Sequence, residues 1–152
     1  MDELTLAVLK AEVAEDCRIL CETAALARSR FGGGGDSELE ACAYHLSRLY
    51  NVIEQLALRV AKAFENNIDD EHGWHMELLR RLGIAIPGVR PALFPADMAS
   101  DLQELRGFRH VIRHAYDLTL KKDKLAALLT AGERVAVQTT AACESFFKNV
   151  RE

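Results

Sequence analysis

Eleven consecutive residues, Arg106-Gly107-Phe108-Arg109-His110-Val111-Ile112-Arg113-His114-Ala115-Tyr116, hold three arginines, two histidines and a tyrosine in a chain whose formal net charge is -4. Arg109, His114 and Tyr116 stand in the spacing Arg-x4-His-x-Tyr. These residue types suit chemistry on a phosphodiester. A guanidinium grips phosphate oxygens as a planar fork, and an imidazole moves a proton near neutral pH. In RNA the 2′-hydroxyl can attack the adjacent phosphate, giving a 2′,3′-cyclic phosphate and a 5′-hydroxyl. His114 is assigned as the acid/base of that reaction. Arg109 binds the phosphate and stabilises the charge that develops on it. In such a scheme Arg106, His110 and Arg113 would help steer and hold the backbone, and Tyr116 could orient the cleft by hydrogen bonding. The scheme needs neither metal nor cofactor.

These residues need a helix to carry them. At 100° per residue, the segment from about Asp97 to Leu118 divides into an apolar arc and a polar face. The arc holds Leu105, Phe108, Val111, Ile112, Ala115 and Leu118. Arg106, Arg109, His110, Arg113, His114, Tyr116 and Asp117 fill the other side, so every motif group is expected in solvent. A charged outer face is most often simply solvated. This one carries arginine, histidine and tyrosine but no lysine, which favours a functional reading. Arg109 and His114 are five residues apart, roughly 140° around a straight helix. A single straight helix does not aim both at one phosphate; a bent helix or a second copy related by a twofold axis would.

The rest of the chain reads as the scaffold for that helix. Its 152 residues suit a single domain spanning 1–152, with a sizeable core. The periodicity predicts an all-α antiparallel bundle of four main helices plus a short one. The first helix covers about residues 3–29, with Leu4, Val8, Ala11, Ala14, Cys17, Leu20 and Ala24 inward. Phe31 and the glycines at 32–35 break it. Ser37-Glu38-Leu39-Glu40 has a capping-box pattern, and the helix it starts runs to about Asn66 on Leu39, Cys42, Leu46, Leu49, Ile53, Leu56, Val60 and Phe64. A short helix covers about 71–82. Pro87, Pro91 and Pro95 mark an extended connector. The last helix spans about Asp123–Val150, with Leu125, Leu128, Val135, Ala142 and Phe146 inward. Gly132 within it marks a weak point or a close helix approach.

Composition narrows the partners. A net charge of -4 argues against a long nonspecific nucleic-acid surface, but not against a small basic site. The four cysteines, Cys17, Cys21, Cys42 and Cys143, show no paired CxxC and read as buried apolar thiols. No apolar run is long enough to span a bilayer, and Met1–Thr5 has no leader pattern, so a cytoplasmic protein is expected. Two rival readings stand beside the nuclease. Asp69-Asp70-Glu71-His72-Gly73-Trp74-His75 offers carboxylates and a His-x-x-His pair that His45 could join, as in a metal-binding helical-bundle enzyme. The acidic residues there also suit a helix N-terminus, and Trp74 suits a packing anchor. The other rival is a noncatalytic bundle that binds nucleotides or proteins.

The motif and its context resemble the HepT-like toxins of the HEPN superfamily. The superfamily's mark is Arg-x4-6-His on a late helix of a helical bundle, here Arg109 to His114. The polar residue after the arginine is His110, and Tyr116 matches the Arg-x4-His-x-Tyr form. Gly73-Trp74-His75 before Leu78-Leu79, Arg90-Pro91-Ala92-Leu93 and Phe108-Arg109-His110 extend the likeness over most of the chain. The glycines at 32–35 match no motif of the family. The resemblance implies a metal-independent endoribonuclease, the toxin of a type II toxin–antitoxin system, acting on RNA as a homodimer with the motif lining a cleft between subunits. It also implies an MNT-type nucleotidyltransferase antitoxin that can AMPylate Tyr116. Added bulk and negative charge beside the arginines would block RNA.

Overall fold

The computed structural model describes residues 1–65, 77–114 and 119–150 in full, and residues 74–76 as backbone. Its described elements are α1 (Glu3–Gly33), α2 (Asp36–Glu65), α3 (Trp74–Leu82), a 3-10 turn (Ala96–Met98), α4 (Ala99–His114) and α5 (Lys122–Asn149). The long helices α1, α2, α4 and α5 form an antiparallel up-down-up-down bundle, and α3 lies against α2. An isolated bridge between Ile86 and Arg90 is the sole β-type pairing among the described residues.

The α1–α2 turn is tighter than the glycine run suggests. Helix α1 continues through Gly32 and Gly33 and stops at Gly34, whose φ of +75° is left-handed. Gly34 donates its N–H to Phe31 O at 3.2 Å, and only a residue without Cβ adopts that conformation cheaply. Helix α2 begins at Asp36, with Leu39 N–H donating to Gly35 O at 2.9 Å. Ser37 is therefore already helical and not the cap that its capping-box pattern predicts.

Burial confirms the stripe expected on α2, with Phe64 at its half-buried end. On α5, Leu125, Val135, Ala142 and Phe146 are buried and Leu128 half-buried. On α1 the stripe turns differently. Leu9, Val13, Cys17, Leu20, Ala24 and Ala27 are buried, while Leu4 is 74% and Val8 49% exposed. That helix is rich in alanine and leucine on several sides, so periodicity alone leaves its phase open. Cys21 is also exposed, unlike the other three thiols.

Gly132 is a point of close approach. A Cβ there would meet Leu46 Cδ2 of α2 at 3.0 Å and Leu105 Cδ2 of α4 at 3.9 Å. Its missing side chain lets α5 settle into the groove between those helices. Arg134 of α5 bridges to Asp101 of α4 at 2.9 Å, fixing the first turn of α4. The connector before α4 is held by Arg90, fully buried, which donates to Ile84 O at 2.8 Å and to Arg81 O at 3.1 Å. Its guanidinium also meets Glu65, the last residue of α2, at 3.3 Å. A buried guanidinium that spends its donors on carbonyls and a carboxylate ties three loops and helix ends together. No helix among the described residues is long and apolar enough to cross a membrane.

Candidate functional site

Met98 of the preceding 3-10 turn and Leu102 and Leu105 of α4 form a buried stripe, and Arg109 and Ile112 continue it in steps of four and three. Arg109 therefore stands where an apolar residue would be expected. Its side chain is only 14% exposed. The expectation that Arg109 lies on the open polar face is corrected: the arc that meets the bundle is centred near Leu105 and Arg109. Val111, expected inward, is 46% exposed. The physical reason lies on α2, which presents a matching carboxylate within its own stripe.

That carboxylate is Glu54, 5% exposed. Arg109 Nη1 donates to Glu54 Oε1 and, at 2.8 Å, to Asn51 Oδ1. The guanidinium carbon sits 4.7 Å from the ring centroid of Tyr50, within cation–π range. Tyr50 and Asn51 precede Glu54 on α2 by four and three residues, which places each beside it on the helix surface. They clamp the arginine from above and beside. Burial pushes the Tyr50 phenol above its ordinary range, and the Glu54 charge acts in the same direction. The Tyr50 hydroxyl and Arg109 Nε are buried and make no hydrogen bond among the described residues. Arg109 Nη2 likewise makes no hydrogen bond among the described residues.

The two histidines of the motif turn away from this clamp. His110, Arg113 and His114 are exposed, and Arg106 is half-buried. The rings of His110 and His114 stack one turn apart, with centroids 4.5 Å apart and planes tilted by 49°. His110, Arg113 and His114 thus keep the exposure expected of them and Arg106 does not, while His110 and His114 lie about 100° and 140° from Arg109 around the helix. One copy of the chain presents a preset guanidinium and an open imidazole pair on different sides of α4. Tyr116 lies outside the described residues.

The metal-site alternative rests on residues that are only partly described. His72 and the acidic residues at 69–71 lie outside the described residues, as does the side chain of His75. His45 is described. Its Nδ1 accepts from Arg48 Nη1 at 3.1 Å. Partial burial, followed by the charges of Arg48 and Arg30, holds its imidazole below the ordinary histidine range. Among the described residues no three His, Cys, Asp or Glu side chains cluster as a metal site.

Sequence reasoning missed Tyr50, Asn51 and Glu54. A signal existed: Glu54 interrupts the apolar run Leu49, Tyr50, Ile53, Leu56, Ala57. A carboxylate in such a stripe requires a buried cation opposite it.

The model of a family described as HepT-like protein matches residues 41–150. The match runs from the second turn of α2 through the end of α5, so it includes the α2 clamp and the whole of α4. Comparison with curated proteins and with solved structures returned no match.

Proposed function

The chain belongs to the HepT-like family, and from that membership we propose that it is the toxin of a toxin–antitoxin pair, a single-domain endoribonuclease that works without a metal ion. The observation that carries this reading is Arg109, held on α4 by Glu54 and Asn51 with Nη2 making no hydrogen bond among the described residues, on the same helix as the exposed His114. Such an arrangement preorganises a phosphate donor and leaves a proton carrier free to move against the substrate.

In the proposed reaction the ribose 2′-oxygen bonds to phosphorus and the bond from phosphorus to the 5′-oxygen breaks. Neutral His114 takes the 2′-proton. An imidazolium gives a proton to the leaving 5′-oxygen, and a second copy of the chain supplies it. Arg109 stabilises the phosphorane charge through Nη2. Arg106, Arg113 and His110 hold the flanking backbone. The angular separation of Arg109 and His114 supports a homodimer in which each copy completes the other's cleft. Tyr116 follows His114 by two residues, and its AMPylation by an MNT-type nucleotidyltransferase antitoxin would silence the cleft. The proposed setting is the cytoplasm.

The test is cleavage of RNA by purified protein with and without EDTA, with the ends of the products identified. The proposal expects cleavage unchanged by EDTA, with 2′,3′-cyclic phosphate and 5′-hydroxyl ends. Loss of cleavage in EDTA, or 5′-phosphate ends, would sink it.

A further inference from the structure

A cavity of about 390 Å³ opens between α3, the connector that follows it and the first turns of α4. Its volume lies within the usual range for small-molecule sites. Leu79, Phe94, Ala99 and Leu102 give it apolar walls, and Tyr50 of the Arg109 clamp forms another part of the wall. Two residues with unmet polar groups line it. Tyr50 is completely buried, yet its hydroxyl makes no hydrogen bond among the described residues. Arg106 also lines the cavity and makes no hydrogen bond or ion pair among the described residues. The other charged lining residues, Glu77 and Arg80, pair with each other at 2.6 Å. Arg106 is therefore the uncommitted charge of this wall.

We propose that this cavity is a subsite for one nucleotide unit, with the base against Tyr50, Phe94 and Leu102 and the phosphate on Arg106. The inference rests on the ribonuclease reading for its choice of RNA as the physiological source. Three features support it. An apolar slot with one unmet hydroxyl fits a flat heterocycle that carries hydrogen-bond acceptors. A guanidinium on the same cavity fits the anion attached to that heterocycle. Arg106 precedes Arg109 by one helical turn, a separation of the order of that between adjacent phosphates of a strand. Combining stacking walls with a cationic track is the general solution for holding single-stranded nucleic acid. The Tyr50 ring belongs both to the cavity and to the support of Arg109, so an occupant would bear on the guanidinium that grips the next phosphate.

The experiment uses full-length His114→Ala protein, so that RNA is bound and not cut. Calorimetric titrations compare a short RNA, the four nucleoside monophosphates and inorganic phosphate. The expected result is that at least one mononucleotide binds tenfold or more tightly than inorganic phosphate. Arg106→Ala should weaken that binding about tenfold or more, since a charge-assisted contact is lost. Ala99→Trp, at an exposed position on the wall, should abolish it by filling the slot. Tyr50→Phe should weaken it about fivefold without lowering Tm, because the hydroxyl it removes has no hydrogen-bond partner among the described residues. Equal binding of mononucleotide and inorganic phosphate, or unchanged binding by both Arg106→Ala and Ala99→Trp, would overturn the proposal. Mononucleotide binding that Ala99→Trp abolishes, in a protein that cleaves no RNA, would uphold the subsite and defeat the nuclease reading. Parental protein that cleaves RNA, with the same rate and sequence preference in Ala99→Trp, would do the reverse.

Discussion

Arg109 of α4 and Glu54 of α2 form an ion pair inside the bundle, with side chains 14% and 5% exposed. The residue assigned to the phosphate is thus also part of the packing between two helices. Removing one member takes this counter-charge from the other in a low-dielectric setting, and breaking a buried pair costs about 3–5 kcal/mol, whereas replacing both with apolar groups of similar volume is often tolerated. Arg109→Ala is expected to lower Tm by roughly 10 °C or more. The double variant Arg109→Met/Glu54→Met should regain most of that stability and still cleave no RNA. Thermal denaturation paired with an RNase assay checks this. A double variant as unstable as Arg109→Ala would mean that the pair is not the source of the loss.

His114 offers the opposite separation. It is exposed, and among the described residues its ring contact is with His110, so His114→Ala should leave Tm within about 2 °C of the parent, as surface substitutions do. Loss of a positioned acid/base lowers turnover about 10²–10⁴-fold. Measured kcat and Tm on the same preparation distinguish a chemical role from a structural one. Activity within a few-fold of the parent would remove His114 from the mechanism.

The stability of the bundle should also depend on pH through His45. Partial burial and the neighbouring charges of Arg48 and Arg30 keep its folded-state pKa below the ordinary value of 6.5. The unfolded chain then binds the proton more readily than the folded one. Stability that is full above about pH 6.5 is lost as pH falls through that value toward the folded pKa. His45→Gln should therefore flatten the Tm profile between about pH 7 and pH 5. A profile of unchanged slope would show that other groups control this range.

Much of the scaffold was legible in the residue pattern, because four long apolar stripes leave few arrangements other than a bundle. Leu39 through Val60 on α2 and Leu125 through Phe146 on α5 kept the phase their spacing implies. The misreadings have specific causes. On α1 several alternative stripes of alanine and leucine are about equally apolar, so the spacing points to Leu4 and Val8 where Leu9 and Val13 occupy the core. On α4 a rule that puts charged residues outside turned the helix away from its true phase. Arg109 is buried because Glu54, distant in sequence, supplies its counter-charge, and no local pattern on α4 reveals that. The spacing of Arg109 and His114 did show that they diverge, which the fold bears out by sending one toward α2 and the other to the surface.

Gly132 tests whether the seat of α4 controls the site. Its absent side chain faces Leu46 and Leu49 of α2 and Leu105 of α4, at 3.0, 3.6 and 3.9 Å from an added Cβ. Leu105 lies one helical turn before Arg109, so a displaced α4 moves the guanidinium relative to Glu54 and Asn51. Gly132→Ala adds helix propensity worth up to about 1 kcal/mol. It also asks the terminal methyl of Leu46 to give way by a few tenths of an ångström. These effects nearly cancel, so Gly132→Ala should stay within about 1 kcal/mol of the parent. Gly132→Leu cannot be absorbed by a methyl shift, and overpacking of this kind costs about 1–3 kcal/mol. It should lower Tm by several degrees. It should also reduce cleavage in soluble, folded protein, because the error falls on the helix that carries Arg109. Circular dichroism, Tm and kcat measured together check both halves. Parental activity in a destabilised but folded Gly132→Leu protein would show that the position of α4 tolerates the shift, and that the clamp around Arg109 follows it.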